Sequence, residues 1–174
     1  MVAQVPLVPL IDKYLVLDGY FSIKTNEDGD QCDWTISYGG AVNVAFGSVP
    51  TTWYSNDGTF EMDVTCTEKD GDSMTMNGTG TLYLEVKGRS DRKKKTIEFE
   101  DSVEIQQVEL NRCFYFVDPP QTICDTLTAP PEFPAPDYDN SHKMCDRSGC
   151  EDKWEINQTV GPVTYRGHWW WYIQ

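Results

Sequence analysis

The stretch Tyr14-Leu15-Val16-Leu17-Asp18-Gly19-Tyr20-Phe21-Ser22-Ile23, then Asn26-Glu27-Asp28-Gly29-Asp30, then Cys32-Asp33-Trp34-Thr35-Ile36-Ser37-Tyr38 decides the fold. Apolar side chains recur at every second position on both sides of a polar pair. Leu15, Leu17, Phe21 and Ile23 therefore share one face of a strand, and Cys32, Trp34, Ile36 and Tyr38 one face of the next. Asp28-Gly29 tolerates the positive φ values that a tight hairpin turn requires. The same grammar runs outward to Val117. Val42, Val44 and Phe46 form a short strand, and the Thr51 to Tyr54 piece leads to a turn at Ser55-Asn56-Asp57-Gly58. Phe60, Met62, Val64 and Cys66 alternate up to a turn at Lys69-Asp70-Gly71-Asp72. Met74 and Met76 continue into Leu82, Leu84 and Val86, with Gly78 and Gly80 between them marking a bulge, a bend or a close neighbour. Ile97, Phe99, Val103, Ile105, Val108, Leu110, Phe114 and Phe116 complete the series. No stretch has a 3.6-residue period, so an all-β antiparallel sandwich is expected, with an up-and-down barrel as the alternative.

Six of the ten prolines fall between Asp118 and Asp139, a density that precludes central strands and favours extended chain. Strand character returns at Lys153 to Thr159 and again at Val163 to Ile173, where Val163, Tyr165, Gly167, Trp169, Trp171 and Ile173 alternate. The last strand is expected to rejoin the main sheet. We therefore read 1–174 as one domain: 10–117 the β core, 118–142 a Pro-rich excursion, and 143–174 C-terminal strands that return to the core.

Acidic residues outnumber basic ones 28 to 14, for a net charge of -14. That balance argues against nucleic acid and anionic membrane as partners and allows cations, basic proteins or neutral ligands. Cys32, Cys66, Cys113, Cys124, Cys145 and Cys150 are even in number and contain no CxxC pair, which favours disulfides. The sequons Asn77-Gly78-Thr79 and Asn157-Gln158-Thr159 point to the same oxidising compartment. The expectation is a secreted glycoprotein, with Cys124 pinning the Pro-rich segment to the body. Met1 to Leu10 has no basic region and is broken by Pro6 and Pro9, unlike a signal peptide. No apolar run approaches the ~20 residues of a membrane helix.

The segments Gly19-Tyr20-Phe21-Ser22-Ile23 and Cys32-Asp33-Trp34-Thr35-Ile36, with the Ala41 to Phe46 strand after them, resemble the opening of CUB domains, which are extracellular β-sandwiches. The chain departs from that family in having no cysteine ahead of Cys32 and no late Cys-Gly pair. The resemblance implies a binding module rather than a catalyst. Many of its members bind calcium, and the acidic residues near the corresponding place here are Asp63, Asp70 and Asp72. The acidic turns give calcium an independent basis in oxygen-ligand chemistry, although ordinary hairpin chemistry explains Asp-Gly equally well.

The densest aromatic run is His168-Trp169-Trp170-Trp171-Tyr172. In a strand, Trp169 and Trp171 share a face with Tyr165, and Trp170 lies opposite with His168 and Tyr172. One of these faces is a candidate ligand wall, for a small aromatic molecule, a carbohydrate or a protein. His168 is the acid-base candidate in a rival reading, a secreted cofactor-independent hydrolase or luciferase-type oxidase with an aromatic-lined cavity. No Gly-x-Ser-x-Gly elbow supports a triad hydrolase. His142, Cys145 and Cys150, with Cys124 or His168, could instead hold a metal, against which stands a Cys145–Cys150 disulfide loop. Lys87, Arg89, Arg92, Lys93, Lys94 and Lys95 gather basic charge at one hairpin tip, which reads as a solvated tip, a docking point for an acidic partner or a proteolytic processing site. An extracellular binding module that needs no cofactor, calcium apart, is the preferred reading.

Overall fold

A computed structural model describes residues 12–45, 47–91, 93–145 and 152–174. Nine strands make one antiparallel sheet, and no helix occurs among the described residues. They are β1 Asp12–Glu27, β2 Asp30–Ala45, β3 Thr51–Thr67, β4 Ser73–Asp91, β5 Thr96–Val117, β6 Pro120–Leu127, β7 Ser141–Cys145, β8 Asp152–Val160 and β9 Val163–Ile173. The order is β6-β5-β4-β3-β2-β1-β9-β8, with β7 paired to β5. β1 to β5 thus form a meander of unusually long strands, and the C-terminal hairpin adds to its free β1 edge through pairs such as Leu17 with Trp171 and Gly19 with Trp169.

The inward phase read from the sequence is the core. Leu15, Leu17, Phe21, Ile23, Ile36, Val42, Val44, Phe60, Met62, Leu82, Leu84, Trp169 and Trp171 are all buried. The sheet curls without closing into a barrel, so that β5 meets β9 across the interior although four strands separate them in the sheet order. This single curled sheet provides both layers of the expected sandwich.

Turn chemistry held at Asp28-Gly29, where both residues have positive φ and join β1 to β2. It did not hold at Asp57-Gly58. That pair lies inside β3, where the register against β4 jumps from Ser55–Leu84 to Gly58–Leu82. Local Asp-Gly chemistry suits a bulge as well as a hairpin, and pairing to a long partner strand selects the bulge. Likewise Val42 and Val44 continue β2 rather than forming a separate strand; the side chain of Phe46 lies outside the described residues. Gly78 and Gly80 are close-approach positions, because a Cβ on either would meet a β5 backbone carbonyl oxygen, of Glu109 and Gln107 respectively.

Two cross-strand disulfides form, Cys32–Cys66 between β2 and β3 and Cys113–Cys124 between β5 and β6. Cys124 does pin its segment, and it does so by making part of that segment an edge strand. Pro120 is the first residue of β6, where its missing N–H costs the ladder least. Cys150 and the side chain of Cys145 lie outside the described residues. The Cys32–Cys66 loop spans 34 residues and the Cys113–Cys124 loop 11. By loop entropy, replacing both cysteines of the first pair with Ala is expected to cost about 4 kcal/mol, and the second pair about 3 kcal/mol. Urea unfolding of the two double variants checks the order; equal midpoints would show that loop entropy does not set it.

β6 and β7 lie along the same edge of β5, β6 beside its C-terminal part and β7 beside Thr96 to Glu100. The chain between them, 128–140, passes Asp101 to Glu109 without adding a strand. Pro130, Pro131, Pro134 and Pro136 have no N–H to offer a ladder. Released from pairing, this strap turns Phe133 onto Trp34 (ring centroids 6.2 Å apart) and stacks Tyr138 on Trp169 at 4.6 Å. The strap covers the interior where a closed barrel would have had another strand.

Candidate functional site

Ile97, Phe99, Asp101, Val103 and Ile105 occupy the inward phase of β5, and one of the five is a carboxylate. Asp101 is 4% exposed and sits among apolar neighbours. Burying an unpaired carboxylate is costly, so its oxygens must find donors. Oδ2 accepts the indole N–H of Trp169 at 2.9 Å and of Trp171 at 3.0 Å. Oδ1 lies 3.0 Å from Nε2 of His142, itself buried on β7. The backbone N–H of Asp101 donates to the Asn140 carbonyl at the end of the strap. One side chain therefore ties together β5, β7 and β9. The two indoles can share an oxygen because residues i and i+2 of a strand point the same way.

Beside this cluster is an apolar recess of about 140 Å³. It is lined by Phe21 of β1, Tyr38 of β2 and Trp169 of β9, by Val103 and Ile105 of β5, and by Phe133, Ala135, Pro136 and Tyr138 of the strap. Burial raises the Tyr38 phenol above its ordinary pKa, and neighbouring Tyr138 raises it further. Tyr138 is raised by burial first and then by the Asp101 charge. Both phenols keep their protons at neutral pH and can donate a hydrogen bond to an occupant.

The aromatic run of β9 divides as strand geometry requires. Trp169 borders the recess, Trp171 is enclosed in the core, and Tyr165 packs against the core from the same face. His168, Trp170 and Tyr172 lie on the outer face, partly buried. There the His168 and Trp170 rings stack at 4.1 Å, and the Lys153 ammonium lies 4.5 Å from the Trp170 ring centre. His168 Nε2 is 3.3 Å from a carboxylate oxygen of Asp18, a residue about half exposed, without the alignment of a hydrogen bond. The histidine with a buried carboxylate partner is His142. Sequence reading missed that pair because 41 residues separate its members. The signal was available: Asp101 breaks an otherwise apolar inward phase on β5.

Other candidates are dispersed. Asp70 and Asp72 join Glu68, the three offering carboxylate oxygens within 4.8 Å of one another. Asp63 is exposed on β3 opposite Asn77. Asp70 accepts the Asp72 N–H, and Asp72 accepts the Val117 N–H, so these carboxylates already organise the turn. The metal set built on His142 loses Cys124 to its disulfide, and His168 is on the outer face of another strand. In the basic cluster, Glu98 meets both Arg89 (3.5 Å) and Lys143 (3.7 Å), which offsets part of the charge; Arg92 lies outside the described side chains. Asn77 and Asn157 of the two sequons are exposed. The chain matches no known protein family, no curated protein and no solved structure.

Proposed function

We propose that this protein is a secreted binding module that takes one small aromatic molecule into the recess beneath the strap. The observation that carries the reading is the recess itself: about 140 Å³, walled by five aromatic side chains with two neutral phenols among them. An apolar cavity of about 150 Å³ holds benzene in an engineered protein, so the volume suits a single ring. Drug-sized ligands need roughly 300 Å³ or more, and an oligosaccharide or protein segment needs more still, so those occupants fit this recess poorly. The enzymatic alternative has weaker support. The only described histidine bonded to a carboxylate is His142, whose side chain is 1% exposed and whose partner is fully enclosed. The two disulfides and the exposed sequon asparagines support an extracellular setting.

Phenol, toluene and indole are suitable probes, read by thermal shift and by Trp and Tyr fluorescence. A ligand that binds only the folded chain raises Tm, by about 2.7 kcal/mol of stabilisation at a hundredfold excess over Kd. Ala135→Phe, which adds a ring at a strap residue lining the recess, is expected to weaken binding at least tenfold while the fold persists. Unchanged affinity in that variant would move the binding site elsewhere.

A further inference from the structure

The charge around the recess specifies its occupant more narrowly than the volume does. We propose that the ligand is a small organic cation, a ring or compact alkyl group carrying a protonated or quaternary amine. This deepens the recess reading and rests on it.

Three observations converge. The walls include the rings of Phe21, Tyr38, Phe133, Tyr138 and Trp169, and aromatic faces carry the negative end of the ring quadrupole. None of the nine lining residues is basic. Behind Trp169 stands the Asp101 carboxylate, bonded to its indole N–H at 2.9 Å. The field of that carboxylate reaches the recess, since it contributes to holding the proton on Tyr138. A neutral ring would need only the apolar walls. With His142 neutral beside it, the Asp101 carboxylate behind these aromatic walls adds an attraction that only a cation uses. An anion would meet repulsion, and the net charge of -14 would oppose its approach from a distance.

The test compares three ligands of nearly equal shape on the intact wild-type protein: benzylammonium, benzyl alcohol and benzoate, by titration calorimetry at neutral pH. Benzylammonium is expected to bind at least tenfold more tightly than benzyl alcohol, and benzoate more weakly than either. In Asp101→Asn, where an amide oxygen can still accept the indole N–H groups but the charge is gone, the ratio of cation to alcohol should fall at least threefold, to what the aromatic walls alone supply. Equal affinities in the wild type would overturn the cation assignment and leave the recess as a site for neutral rings. Failure of all three to bind would overturn the recess reading itself. A cation preference left unchanged by Asp101→Asn would overturn the role given to the carboxylate. Should Asp101→Asn fold poorly, the wild-type comparison alone decides between a cation and a neutral ring.

Discussion

Asp101→Ala is expected to be the most damaging single substitution in the described part of the chain. It removes the acceptor for two indole N–H groups and the partner of a buried histidine in one step. A buried polar group left without its partner costs about 1–3 kcal/mol, and two indole N–H groups and a histidine nitrogen lose theirs here, so a loss of about 3–5 kcal/mol is expected. For a chain of this size each kcal/mol moves Tm by about 2–4 °C, so a fall of about 10 °C or more is expected. Asp101→Asn should cost less, since its amide oxygen keeps the indole bonds while its amide group replaces the carboxylate oxygen facing His142. Scanning calorimetry gives the stabilities. The indole N–H resonances of Trp169 and Trp171 give a local readout, and both should move in either variant. If Asp101→Ala lost less than about 1 kcal/mol, the three-strand tie would not be holding β5 to β9.

Gly167→Ala comes next. Gly167 lies between Phe21 of β1 and Ile156 of β8, where a Cβ would come within 2.0 Å of the Tyr20 carbonyl oxygen and 2.9 Å of the Phe21 Cα. A flexible side chain could yield, but these are backbone atoms of a paired strand. The methyl group is accommodated only by displacing β9 from β1, which carries Trp169 and Trp171 away from Asp101. Overpacking usually costs about 1–3 kcal/mol, and a clash with backbone belongs at or above the top of that range. Gly47→Ala is the internal control, since nothing lies within 4 Å of its Cβ position. It should stay within about 0.5 kcal/mol of the wild type, as open surface substitutions do. Urea midpoints separate the two, and similar losses for both would show that Gly167 is not set by close approach.

Both predictions concern β9, and the sequence described that strand well in one respect only. Alternation puts Trp169 and Trp171 on one face and His168, Trp170 and Tyr172 on the other, and the structure has them there. Which face would carry a site was not legible. Alternation says that two side chains point the same way; it does not say what they meet. The indoles meet a carboxylate 68 and 70 positions away, and that separation is set by how far the sheet curls. For the same reason the acid-base role fell to His168, conspicuous in its aromatic run, when the histidine facing a buried carboxylate is His142. The Asp57-Gly58 turn failed similarly, because a bulge and a hairpin make the same local demand and only the partner strand distinguishes them.

By itself the sequence determined the class of structure, the inward faces of β1 to β5 and β9, the hairpin at Asp28-Gly29, the Pro-rich break and the return of the last strand, but not the edge strands β6 and β7. These follow from period-two burial and from the backbone preferences of Gly, Asp and Pro, which act over a few residues. Tertiary structure alone decided that β5 and β9 meet, that Asp101 joins His142 to two indoles, and that a strap unable to pair roofs an aromatic recess. Those contacts depend on the curvature of a nine-stranded sheet, which sums small twists over many residues and is written in no single segment.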